Sequence, residues 1–165
     1  MNDDNAQVIQ ECNDLIERCQ SLTMSTLDDN KKPSISYAPF VRDQDNAFYI
    51  FISDLASHTR HLETQPRTSI MLIEDEQNAR QIFARTRVIY ECTAQFVARD
   101  NNRWSPILEQ LQDRFGEIIL TLRELSDFKL FHLTPERGTF VKGFGQAYRL
   151  EGEHLDKAEH IRRNA

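Results

Sequence analysis

Several groups of residues in this sequence are equipped to hold or transform a ligand. The segment Phe140 to Tyr148, FVKGFGQAY, sets Gly143 and Gly145 inside an otherwise strand-like run. Glycine weakens a strand, so its presence there marks a bulge or a close backbone approach. Lys142 precedes the first glycine, and Phe140, Phe144 and Tyr148 surround the pair. A small backbone with one cation and flanking aromatics suits a flat, anionic ligand; the alternative is a kinked strand at a dimer interface. Arg85 and Arg87 bracket Thr86 just before a long strand pattern. In extended chain both guanidinium groups point the same way and can grip a phosphate or carboxylate with paired donors. Pairing with Glu91 or a cross-strand acid is the alternative. Ser57-His58-Thr59-Arg60-His61 opens a predicted helix. It is either an anion site built on unpaired N–H groups or an ordinary capped helix. Asp127 stands where helix gives way to strand, as a capping or turn residue or as a catalytic acid.

Other chemistry is less well supported. There is no GxSxG, and the glycine pair lacks the third glycine and following helix of a dinucleotide fingerprint. His58 and His61 are three apart with no third ligand nearby, so they read as solvated rather than zinc-binding. His132 alternates with apolar neighbours and reads as a barrel-facing or surface histidine. His154 and His160 lie in a charged tail. Cys12, Cys19 and Cys92 form no CxxC and are expected to be buried, reduced thiols.

The elements that must position these groups follow from hydrophobic period. Val8, Ile9, Cys12, Leu15, Ile16 and Cys19 make a helical stripe. Strands are expected around Leu22–Met24, from Pro33 (Ile35 and Tyr37 on one face), over Ala47–Ile52, Thr68–Ile73 and Arg87–Ala98, and again over Phe128–Leu133 and Thr139–Tyr148. The continuously apolar Ala47–Ile52 reads as buried on both faces. Two amphipathic helices flank Gly116, and the tail after Gly152 shows weak helical periodicity. Strands joined by short polar turns favour an antiparallel arrangement, and six or seven of them close into a barrel that removes exposed edges. The expected fold is α+β, mainly β: an antiparallel split β-barrel of six or seven strands with flanking helices. Residues 1–20 are expected as a helix on the barrel, 21–150 as the barrel and 151–165 as a tail of one domain.

The chain has 165 residues, 39% hydrophobic and 28% charged, with a formal charge of −6. That size suits one domain with a core, and that charge disfavours a nucleic-acid partner. No apolar run reaches the roughly 20 residues of a membrane span, and the acidic start MNDDNAQ lacks signal-peptide features. A cytoplasmic protein is expected.

The run SLTMSTLDDNKKPSISYAPFV resembles the first hairpin of the FMN-binding split-barrel superfamily, which includes pyridoxamine 5′-phosphate oxidases. With SIMLIEDE, IFARTR, RFGEII and FKLFHLTPERGTFVKGFGQAY, the order of pieces resembles the HugZ/HutZ-type haem-utilisation proteins. The resemblance spans about Ser21 to Leu150. It implies a homodimer with ligand sites at the subunit interface. It also implies haem as ligand, and in some members oxidative haem cleavage that needs an electron donor and releases iron. By the resemblance, Arg87 matches a distal-side arginine. Asp127 matches an acid that reaches across the dimer to support the proximal histidine. His58 matches a pocket position, and the segment Gly143 to Gly145 matches the haem-side strand. The family's axial histidine comes from a C-terminal segment; here that place falls at Asn164-Ala165, leaving His160 as the nearest candidate. The alternatives are an FMN oxidoreductase, with Arg85 or Arg60 and Ser57 on the flavin phosphate, and a non-catalytic haem carrier.

Overall fold

The computed structural model describes residues 3–162. Eight strands follow one another as β1 (Ser21–Leu27), β2 (Pro33–Arg42), β3 (Phe48–Ser53), β4 (Arg67–Ile73), β5 (Arg87–Val97), β6 (Phe128–Gly143), β7 (Gln146–Glu151) and β8 (Lys157–His160). Helices α1 (Asp3–Arg18), α2 (Ser57–Thr64), α3 (Trp104–Phe115) and α4 (Ile118–Glu124) complete the chain. All pairings between strands are antiparallel. The order β3-β2-β1-β4-β5-β6 is closed by pairing of β3 with β6, and β7 and β8 extend the sheet beyond β6. The result is the expected mainly β architecture, with a closed six-stranded barrel and two strands more.

The strand β6 makes the split. Its first half pairs with β3, from Phe128 opposite Ser53 to Leu133 opposite Phe48. Its second half pairs with β7, from Gly138 opposite Leu150. The sequence reads this region as two strands, Phe128–Leu133 and Thr139–Tyr148. The structure instead runs one 16-residue strand through Pro135, because β5 pairs along almost its whole length. Proline lacks an N–H, and Pro135 sits at the β6 register shift opposite Glu91/Cys92 and in the gap between the two partners on the other edge.

Two cores explain the burial pattern. The barrel interior holds Phe40, Phe48, Phe131 and Phe140, each fully buried, capped by the Val8, Cys12, Leu15 and Ile16 face of α1. Each such aromatic contributes about 1.5–3 kcal/mol by burial. The second core packs Trp104, Leu108, Leu111 and Ile119 from α3 and α4 on Tyr49 and Phe51. Thus β3 is buried on both faces, as its unbroken apolar run implies.

The tail is not helical among its described residues, up to residue 162. Residues 157–160 form β8 on β7, and the Asn5 side chain of α1 acts as a further partner, donating to the Ala158 carbonyl at 3.0 Å and accepting its N–H at 3.2 Å. Among the described residues, no helix is long and apolar enough to cross a membrane. Cys12 and Cys92 are buried and Cys19 half-buried, all as free thiols.

Candidate functional site

The residues singled out from sequence fall at two ends of the barrel. At one end, α2 joins β3 to β4. The Asp127 carbonyl accepts the Asp54 N–H at 2.8 Å, and its carboxylate accepts the Ser53 hydroxyl at 2.7 Å. Asp127 therefore fastens the end of β3 to the start of β6. Lys129 lies between Asp54 and Glu63, at 2.8 and 2.5 Å, and hydrogen bonds to these carboxylates hold its pKa up. His58 and His61 differ from the solvated pair expected. His58 Nδ1 lies 2.9 Å from the Ser36 hydroxyl of β2, and His61 Nδ1 lies 2.9 Å from the buried Thr26 hydroxyl of β1. Burial, helped by the neighbouring His61, pulls the His58 pKa down. Ser57 is exposed and makes no capping bond in α2. Arg60 is already paired with Asp29 of the β1–β2 turn.

At the other end lie Arg85, Arg87, Lys142, the two glycines and His160. Arg87 opens β5 on the outer face of the sheet. Its row runs Ile73, Arg87, Val141 and Ala147, so the guanidinium stands among apolar side chains. Its hydrogen bond is to the Arg85 carbonyl, from Nη1 at 3.0 Å, and among the described residues it makes no ion pair. Arg85 does not join it as a second free cation. Its guanidinium donates to the Glu74 carbonyl and pairs with Glu76 at 3.1 Å. The expected partner Glu91 instead lies 3.9 Å from Arg137.

Lys142 also departs from expectation. Next to Val141 in the strand, it faces inward and pairs with Glu11 of α1 at 2.7 Å, so its charge is met within the chain. The glycines do not kink a continuous strand. Phe144 and Gly145 form the tip of the β6–β7 hairpin, after a register shift between Val141 and Gly143. Gly145 has φ +67, a conformation that favours glycine. Phe144 stands 70% exposed beside it, on the wall of a cleft of about 600 Å³ shared with Lys142, Gly143, Arg80 and Thr86.

His160 ends β8 beside this hairpin. Its Nε2 lies 2.8 Å from the Gly145 carbonyl, and its ring meets Tyr148 edge-on at 5.1 Å. It pairs opposite Tyr148, which pairs opposite Phe140. These face inward, so His160 and Arg87 belong to opposite faces of the sheet. Asn164 and Ala165, where the resemblance puts an axial histidine, lie outside the described residues.

Gly138 escaped the sequence reading, and the packing of His132, read there as a barrel-facing or surface histidine, is visible only in the structure. Gly138 sits where β6 exchanges β3 for β7, and a Cβ there would meet Tyr90 at 2.8 Å and Leu150 at 2.9 Å. The glycine itself was the available signal. His132 stacks 4.8 Å from Tyr49, with its Nδ1 buried and without a partner. Burial, then the Arg103 charge, lowers its pKa.

Residues 8–142 match the family model of pyridoxamine 5′-phosphate oxidase. The chain is 46% identical over 142 residues to heme oxygenase HutZ of Vibrio cholerae, covering 86% of this chain and 80% of that protein. The chain belongs to the HutZ-type branch of the pyridoxamine 5′-phosphate oxidase family. The crystal structure of HutZ, described as a heme storage protein, superposes on this family member with a TM-score of 0.77 at 40% identity, over 81% of this chain and 94% of that one. Campylobacter jejuni ChuZ gives a TM-score of 0.85 at 35% identity over 94% of this chain, which spans 62% of ChuZ.

Proposed function

We propose that this HutZ-type protein binds haem in haem utilisation and cleaves it oxidatively to release iron. The observation that carries the reading is Arg87: a half-buried guanidinium in an apolar row that, among the described residues, pairs with no carboxylate. An apolar surface bearing a free cation suits a flat, apolar macrocycle with anionic edges, and Phe144 offers an exposed ring nearby. Haem, when bound, supplies the redox chemistry, with dioxygen and electrons from a separate donor. The chain's own part is to bind, orient and donate hydrogen bonds. Arg87 has five N–H donors and uses Nη1 on Arg85, leaving others for the ligand.

The site is shared between two copies. Asp127 precedes β6, while Arg87 pairs near its far end with Val141. Sixteen residues of strand span roughly 50 Å at ~3.3 Å each before curvature, too far for one haem to touch both in one protomer. In an antiparallel dimer, the Asp127 end of one copy meets the Arg87 end of the other. The outer face supports such pairing, since Ile35 and Tyr37 are 76% and 67% exposed and Met71 and Ile89 continue the row. A held carboxylate such as Asp127 orients a ligating histidine and raises its basicity.

The resemblance leaves His160 as the proposed axial ligand; its register puts it at the Arg87 end but on the opposite face of the sheet, so ligation at the Arg87 site requires the edge strand β8 to leave β7. To bind iron through Nε2, His160 must release the Gly145 carbonyl. The flavin reading gains no such support, because each arginine named for the flavin phosphate is already paired, Arg60 with Asp29 and Arg85 with Glu76 at 3.1 Å.

Titration of the apo-protein with haemin tests the reading. A saturable Soret band is expected for wild type and its loss for His160→Ala. A band retained in the variant moves the ligand to another residue. No saturable band, with flavin bound instead, would defeat the proposal.

A further inference from the structure

We propose that Glu74 and Arg85 are positioning residues that aim Arg87. This rests on reading Arg87 as the cation that meets the ligand, and it reassigns Arg85 from ligand binding to support. Glu74 directly follows Ile73, whose strand partner is Arg87. Three groups of Glu74 hold the chain just before Arg87. Its N–H donates to the Thr86 carbonyl at 2.9 Å. Its carboxylate accepts the Thr86 N–H at 2.6 Å. Its carbonyl accepts a guanidinium N–H of Arg85, which is also drawn to Glu76 at 3.1 Å. The β4–β5 ladder is thereby carried past its last strand pair, and the peptide between Arg85 and Arg87 is fixed.

The consequence falls on the Arg85 carbonyl. Locked by these contacts, it accepts Arg87 Nη1 at 3.0 Å. An arginine tethered at its backbone and at one terminal nitrogen has few rotamers left, and its remaining donors point in a set direction. Arg85 Nε is buried without a partner, a costly arrangement that fits a side chain kept for its other contacts. Pre-set donors cost no reorganisation when charge develops on a ligand.

The test combines an apo-protein readout with turnover. In arginine-labelled apo-protein, Glu74→Ala should speed rotation of the Arg87 terminal nitrogens, seen by NMR as merging of their separate proton signals. Glu74→Gln, which keeps an acceptor oxygen for the Thr86 N–H, should restore the wild-type pattern. With haem, Glu74→Ala should lower cleavage turnover roughly 10-fold, as small misplacements do, with haemin affinity within about twofold, and Glu74→Gln should recover it. If Glu74→Ala does not fold, Arg85→Ala removes the ties to Glu74 and Glu76 and is read the same way. Unchanged Arg87 signals in these alanine variants would overturn the clamp. Freed signals with unchanged turnover would overturn its functional role. Arg87→Ala with wild-type affinity and turnover would instead overturn the reading of Arg87, whatever the NMR shows.

Discussion

At the scale of single residues, similar side chains meet contrasting fates, and the proposed role of Arg87 rests on that contrast. Lys142, Arg85 and Arg60 each meet a carboxylate, whereas Arg87 meets a carbonyl. A carbonyl leaves the positive charge available to an anion. Arg87→Ala should therefore lower haem-cleavage turnover by roughly 10²-fold, as loss of a charge-stabilising donor does elsewhere. Haemin affinity should change far less, because apolar contact supplies most binding. Steady-state turnover beside a haemin titration separates the two, and equal turnover would remove Arg87 from the mechanism. The histidines make a second prediction. Burial lowers the folded-state pKa of His58 and His132 below the ordinary 6.5. The unfolded chain then binds more protons in that window, so this stability is present above about pH 6.5 and is lost as pH falls below it. Melting temperature should drop between pH 7 and pH 5, and His58→Gln should flatten part of that drop. An identical pH profile in the variant would mean that His58 does not contribute.

At the scale of elements, β6 organises the molecule, and Gly138 lets it change partners. A methyl group at 138 would press on the Tyr90 ring and Leu150 at distances that must relax. Overpacking of this kind costs about 1–3 kcal/mol, so Gly138→Ala should lower Tm by several degrees in calorimetry. A wild-type Tm would show that the two side chains move aside freely. The same element shows where sequence reading succeeds and stops. The apolar run at 48–52 announces a doubly buried strand, since nothing but burial on both faces tolerates it. The glycines at 143 and 145 announce a local break, but not that it is a hairpin. Only the pairing of Val141 with Ala147 and of Gly143 with Gln146 shows that. The tail's weak helical period loses to an edge strand because β7 and Asn5 offer partners that lie far away in sequence.

At the scale of the whole molecule, the outer face of the sheet carries a prediction of assembly. Ile35 and Tyr37 are exposed on β2, and Ile89 follows in the same face on β5. Grouped apolar side chains on a surface mark contact sites. The wild type should sediment as a dimer and the double variant Tyr37→Asp and Ile89→Asp as a monomer. The variant should also lose haem cleavage if Asp127 of one copy serves the Arg87 end of the other. A dimer of unchanged stability would place the interface elsewhere.

Local physics, read from residue order, determined α1, the strands β1 to β5, the helices flanking Gly116, the doubly buried β3 and the barrel class, because each depends on hydrophobic period and turn chemistry within a short window; it missed the continuity of β6 and the strand β8. Local physics left Arg87 and Asp127 with ordinary alternatives, and it was the resemblance of the stretches around them that singled them out. Tertiary structure decided which cations were already spent: Glu11, Asp29 and Glu76 come from other elements, and no spacing announces such pairs. It also placed Arg87 and Asp127 at opposite ends of one long strand. That separation is a property of register, fixed only when β5 and β3 pair with β6.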